Sequence, residues 1–115
     1  GGRIMAATAL RPLALNFLDL LAGSNCEVEE FQLQHSPEAA APIHGSSLEA
    51  LDIGRRTGGA LVLAIQAQGG LIANPNGETV LQAGQRLIVM GSPVQLQALE
   101  QLLGEALESA TVIRP

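Results

Sequence analysis

Two hydrophobic periods run through this chain, and the switch between them divides it. Arg3–Ala22 follows the helical period. At 100° per residue, Thr8, Arg11, Asn16 and Asp19 share one polar arc, and roughly two thirds of the circumference is apolar, with Arg3 at its margin. A helix lying on one small domain needs a narrower stripe, so this pattern predicts cover from two sides. Pro12 predicts a kink or a fresh start, and Gly23–Asn25 a stop. Glu27–Gln34 then alternates, with Val28, Glu30 and Gln32 on one side and Glu29, Phe31 and Leu33 on the other, which predicts a strand with a mixed face. Pro37 and Pro42 mark His35–His44 as a connecting loop.

Ser46-Ser47-Leu48-Glu49 reads as a capping box with Ser46 as the cap, opening a short helix through Ile53 with Leu48 and Leu51 buried. Gly54–Gly59 reads as a turn. Three strands are predicted next, at Ala60–Ile65, Gly70–Ala73 and Arg86–Met90. The first is apolar throughout, hence buried on both faces or pressed against a partner. Gln66–Gly69 is a hairpin connection, and Asn74-Pro75-Asn76-Gly77 and Gln82–Gln85 are turns. The last helix carries the clearest signals: Ser92 as N-cap, Pro93 at the first helical position, Gln95 completing a capping box, and a face of Leu96, Leu99, Leu102, Leu103, Ala106 and Leu107. Ser109–Pro115 is expected to fray. The elements add up to an α+β domain, a small mixed or antiparallel sheet with a short helix and a C-terminal helix packed on it.

At 115 residues and 47% apolar content the chain suffices for one domain with a genuine core, built from Leu, Ile, Val and Ala because only 2% is aromatic. The net charge of −5 and the scarcity of aromatic rings lead to the expectation of no nucleic-acid partner and no binding to an anionic membrane surface. The single cysteine, Cys26, precludes an internal disulfide and points to a reducing compartment. No secretory signal is legible, and Thr8, Arg11, Pro12, Asn16 and Asp19 interrupt the apolar stretch Ile4–Ala22, against a membrane span. There is no phosphate-binding loop, no dinucleotide fingerprint and no zinc-ligand spacing; His44 beside Ser46 and Ser47 reads as a loop histidine next to a helix cap. The expectation is a non-enzyme. Asp19, Glu27, Glu29 and Glu30 offer a candidate calcium site across the Gly23–Asn25 turn, with a solvated acidic rim as the favoured alternative.

The ordered series Ser47–Ile53, Gly58-Gly59, Ala60-Leu61-Val62-Leu63-Ala64-Ile65, Gly69, Ile72-Ala73-Asn74-Pro75 and Leu81–Gly91 resembles the TrkA C-terminal family, the C-lobe of regulators of potassium conductance. Gly1–Ala7, Leu10–Leu13 and Phe17–Asp19 resemble the crossover helix that joins the two lobes in prokaryotic potassium channels. The resemblance implies residues 1–25 as crossover segment, 26–108 as regulatory lobe and 109–115 as tail. It implies a homodimer through the C-lobe, with a nucleotide-binding lobe and a membrane pore of the same protein upstream, and a cytoplasmic domain of an inner-membrane protein that gates potassium transport. Serving a potassium-uptake or other ion transporter, or acting as a structural dimerisation domain alone, are the alternatives. The ligands it implies are cyclic di-AMP, another nucleotide, or Ca²⁺. Two departures bear on them. Gln66-Ala67-Gln68 stands where nucleotide-binding members often carry basic residues, and Leu10-Arg11 where calcium-gated members carry an acid. Glu30 matches the glutamate that often opens the first C-lobe strand.

A candidate small-ligand pocket is formed by Ile65, Gln66, Ala67, Gln68, Ile72, Asn74 and Pro75, near the dimer axis. Ile65 and Ile72 would be its apolar walls and the Asn74 amide a donor and acceptor. No Arg or Lys is near in sequence, so a phosphate ligand is expected to bind weakly, and Gln68→Arg to tighten it.

Overall fold

The computed structural model describes residues 25–113. The expected helix over Arg3–Ala22, with Asp19, lies outside them. Five strands form one antiparallel sheet in the order β3-β2-β4-β1-β5: β1 Glu27–Leu33, β2 Leu61–Ala67, β3 Gly70–Ala73, β4 Arg86–Gly91 and β5 Leu107–Ile113. Among the described residues three α-helical segments accompany it, α1 Leu48–Leu51, α2 Ile53–Thr57 and α3 Pro93–Leu103, with a 3-10 turn at Gly104–Ala106 after the last. The α+β class with an antiparallel sheet and a C-terminal helix holds.

The alternation read in β1 sets the layers. Glu29, Phe31 and Leu33 are buried, while Val28, Glu30 and Gln32 are half-buried on the other face. Phe31 meets Leu87, and Leu87 meets Ile65, across three neighbouring strands. Those side chains join Val89, Leu51, Ile53, Leu96, Leu99 and Leu103 in one apolar cluster between sheet and helices. Helix α3 begins as its capping box dictates. Ser92 Oγ accepts from Gln95 N–H at 3.2 Å, and Gln95 Oε1 accepts from Ser92 N–H at 2.9 Å. Gln95 Nε2 also donates to the Gly58 carbonyl at 2.7 Å, which ties the helix to the turn before β2. A Cβ on Gly59, whose φ is +129°, would fall 2.8 Å from that nitrogen, so the tie needs glycine there.

The structure corrects several expectations. The cap of the short helix is Ser47, whose Oγ accepts from Ala50 N–H at 3.0 Å; Ser46 Oγ instead donates to the Pro42 carbonyl at 2.9 Å. Gly54–Gly59 is no simple turn. Asp52 takes the left-handed conformation (φ 52°), breaks the helix, and α2 restarts at Ile53. The buried Thr57 closes it, its Oγ1 donating to the Ile53 carbonyl at 2.6 Å and accepting from Ala60 N–H at 3.0 Å. Of the two alternatives for strand β2, burial on both faces within the domain does not hold: Leu61 is 53% exposed while Ile65 is sealed. The segment expected to fray from Ser109 is instead β5, paired with β1 from Val28↔Ile113 to Leu33↔Leu107. Among the described residues no helix is long and apolar enough to cross a membrane.

Candidate functional site

The β2–β3 hairpin positions the candidate ligand residues and spreads them out. Its tip is Gln68-Gly69, because Ala67 pairs with Gly70. At this end lies a cleft of about 690 Å³ between Gln66–Gly69 and the turn 82–85, with Gln32 and Arg86 as its floor. At the base of the hairpin a second cavity, about 740 Å³, opens between α1–α2 and the loop 75–78, and Pro75 lines it. The hairpin separates the two by about 13 Å, four residues of extended chain. The seven residues therefore do not surround one pocket. Gln66, Ala67 and Gln68 line the tip cleft, and Pro75 the base cavity. Ile65 and Ile72 are cross-strand partners, but Ile65 is fully buried, so only Ile72, 41% exposed, offers an apolar surface. Asn74 takes a left-handed conformation (φ 51°), and its N–H donates to the Leu63 carbonyl at 2.8 Å.

The tip cleft contains a cation that linear reading missed. Arg86 is 20 residues from Gln66 in sequence but its register partner across β2 and β4, and it also faces Gln32 across β4 and β1. Its Nε donates to Gln32 Oε1 at 2.7 Å, while Gln32 Nε2 donates to the Leu33 and Gly84 carbonyls at 2.9 and 3.1 Å. The amide thereby clamps the arginine and the turn together. The expectation that no cation stands near Gln66–Gln68 is thus corrected. The only available signal was Arg86 opening a strand directly after the Gln82–Gln85 turn, and its partner is set by register rather than by spacing.

The acidic candidates are also divided. Glu27 and Glu29 share the helix-side face of β1, and Glu30 faces the opposite way. Among the described residues no group of three or more His, Cys, Asp or Glu side chains is placed to hold a metal ion. Glu29 is only 4% exposed, and its carboxyl faces that of Glu100 on α3 within reach of a shared proton. Burial first, then the Glu100 charge and that hydrogen bond, then Glu27, push its carboxyl from the ordinary 4.5 up to about 7. A hydrogen bond between two carboxyls requires a proton on one of them, and the raised value assigns that proton to Glu29.

The family model of the TrkA-C domain matches residues 37–104. No curated protein matches the chain. Solved proteins of several kinds share its fold. The RCK_C domain dimer of S. agalactiae BusR in complex with c-di-AMP has a TM-score of 0.57 at 20% identity, over 70% of this chain and 93% of that one. The RCK C domain of the potassium transport protein KtrA, in complex with cyclic diadenosine monophosphate, gives 0.55 at 25% identity, over 76% and 93%. The GsuK channel bound to NAD gives 0.58 at 22% identity, over 76% of this chain and 17% of the channel. BusR is also solved in complex with its busA-promotor DNA; that chain gives 0.58 at 19% identity, with 79% of this chain matching 47% of it. The chain thus spans nearly all of the isolated domains and less than half of the longer proteins. The BusR–DNA complex overturns the expectation of no nucleic-acid partner. Net charge describes only the surface of the piece that carries it, and this fold occurs within a longer chain that engages DNA.

Proposed function

The chain belongs to the TrkA-C domain family, and from that premise we propose that it is the ligand-sensing, dimerising regulatory lobe of a potassium-transport protein, acting at the cytoplasmic side of the membrane and catalysing no reaction. The observation that carries this reading is the family match over residues 37–104 together with a cleft at the hairpin tip. In this proposal residues 1–25 link the lobe to an upstream nucleotide-binding lobe and pore. The ligand, cyclic di-AMP or another nucleotide, engages Gln66, Ala67 and Gln68 at the tip, and Ile65, Ile72, Asn74 and Pro75 hold the hairpin that carries them. A ligand that favours one arrangement of two copies biases that arrangement, and the transport machinery responds to the shift. BusR with its promotor DNA supports a second reading, the same sensing lobe in a DNA-binding regulator.

The edge that β3 leaves open supports the dimer. Its four residues are exposed, with Leu71 61% and Ile72 41% accessible, and among the described residues no strand pairs with its outer edge. Sedimentation at micromolar concentration is expected to give twice the 11.9 kDa chain mass; a monomer alone would remove the dimer from the proposal. For the ligand, a thermal-shift screen with cyclic di-AMP, ADP, ATP, NAD(H) and Ca²⁺ is expected to single out a nucleotide. Saturation at about a hundredfold Kd adds about 2.7 kcal/mol of stability. No shift with any nucleotide would leave a scaffold without a sensor.

A further inference from the structure

Taking the hairpin tip as the ligand site proposed above, we infer that Arg86 is its anion-binding residue, clamped by Gln32, and that the ligand presents a phosphate-type oxyanion to it. The chain has 11 Asp and Glu against 6 Lys and Arg, yet no residue lining the tip cleft is acidic, and Arg86 and His35 both border it. The base cavity has the opposite character, lined by Glu49, Asp52 and Glu78. A polyanion is therefore steered to the tip and away from the base.

Gln32 occupies only the Nε of Arg86, and Arg86 joins no ion pair among the described residues. The Nη nitrogens, the fork that grips a phosphate through two parallel bonds, are left for a ligand. On its β1–β5 side Arg86 also lines a hollow with Glu30 and Glu108, but it pairs with neither, and Glu108 is engaged with His35 Nδ1 at 3.2 Å. Gln32 is itself fixed by the Leu33 and Gly84 carbonyls, so the guanidinium is held in place before a ligand arrives. Gln66 and Gln68 flank it from the hairpin, with neutral amides suited to the rest of a nucleotide.

The test is a titration of the ¹⁵N-labelled 115-residue chain with pyrophosphate and, separately, with cyclic di-AMP, following the Arg86 Nε–H and Gln32 side-chain signals. Both ligands are expected to move both signals saturably. Arg86→Gln, on an exposed position, is expected to keep the melting temperature and to weaken both ligands roughly ten- to hundredfold; Arg86→Lys recovers part, because charge returns without the fork. Pyrophosphate that leaves Arg86 unmoved, or binds Arg86→Gln as tightly, overturns the inference. Cyclic di-AMP binding undiminished in Arg86→Gln also overturns it, while leaving the sensing proposal standing. Pyrophosphate binding through Arg86 with no response to any nucleotide supports the oxyanion site and removes the nucleotide reading.

Discussion

Leu99→Asp is expected to abolish the cooperative thermal transition of the domain. Leu99 is fully buried on the inner face of α3, with Leu96 and Leu103 at 1% and 2% exposure beside it and Phe31, Leu87 and Val89 on the sheet beneath. A carboxylate there loses its hydration, and the cluster is apolar. A loss on the order of 4–5 kcal/mol consumes most of the roughly 5–15 kcal/mol that holds a domain of this size. With no Trp or Tyr, far-ultraviolet circular dichroism is the probe to use. Leu99→Ala separates cavity from charge: it should fold and melt cooperatively, with a loss of about 2–5 kcal/mol. Val94→Asp on the same helix, at a site 75% exposed, should stay within about 0.5 kcal/mol of the unmodified chain. An unchanged melting temperature for Leu99→Asp would place the helix the other way round.

Stability should also fall as pH rises from about 5 to about 8, and Glu29→Gln should remove that fall. The carboxyl titrates at about 7 in the folded chain, above the ordinary 4.5. The folded state therefore binds more protons than the unfolded state between those values. The contribution is fully present below about 4.5 and is lost as pH passes through 7. The full span corresponds to on the order of 3 kcal/mol, or about 10 °C in melting temperature. Neutral glutamine has the shape of the protonated acid and donates to Glu100. It should match the unmodified chain near pH 5 and exceed it near pH 8. Melting curves for both chains across this range test the assignment, and parallel pH profiles would show that Glu29 carries no bound proton at neutrality.

What could be read from the sequence was local chemistry. Ser92, Pro93 and Gln95 specify their helix start within four residues, and Gly70–Ala73 is delimited by its own turns, so both were legible. Glu29 was placed on the Phe31–Leu33 side by alternation alone. Its partner Glu100 was not legible, because packing of α3 on β1 brings the two together. Strand β5 was hidden for a similar reason. Glu108, Ser109 and Thr111 make a polar edge strand, and its register with β1 shifts at Gln32/Leu33, which breaks the period of two. Helix α2, Ile53-Gly54-Arg55-Arg56-Thr57 between Asp52 and Gly58, has no helical period to read, and its burial of Ile53 and Thr57 is what fixes it. The candidate site was half legible: Gln66–Gln68 fall on a cleft, but Arg86 enters it through strand register.

The pairing of β1 with β5 has a mechanical consequence. Val28 and Ile113 are partners, so the chain enters and leaves the domain side by side, at the same end of two antiparallel strands. A force that separates those two ends loads one hydrogen-bonded rung at a time instead of shearing all of them together. The domain should therefore open like a zipper under tension, beginning at Val28 and Ile113 and reaching the sealed Phe31 only after the outer rungs have parted.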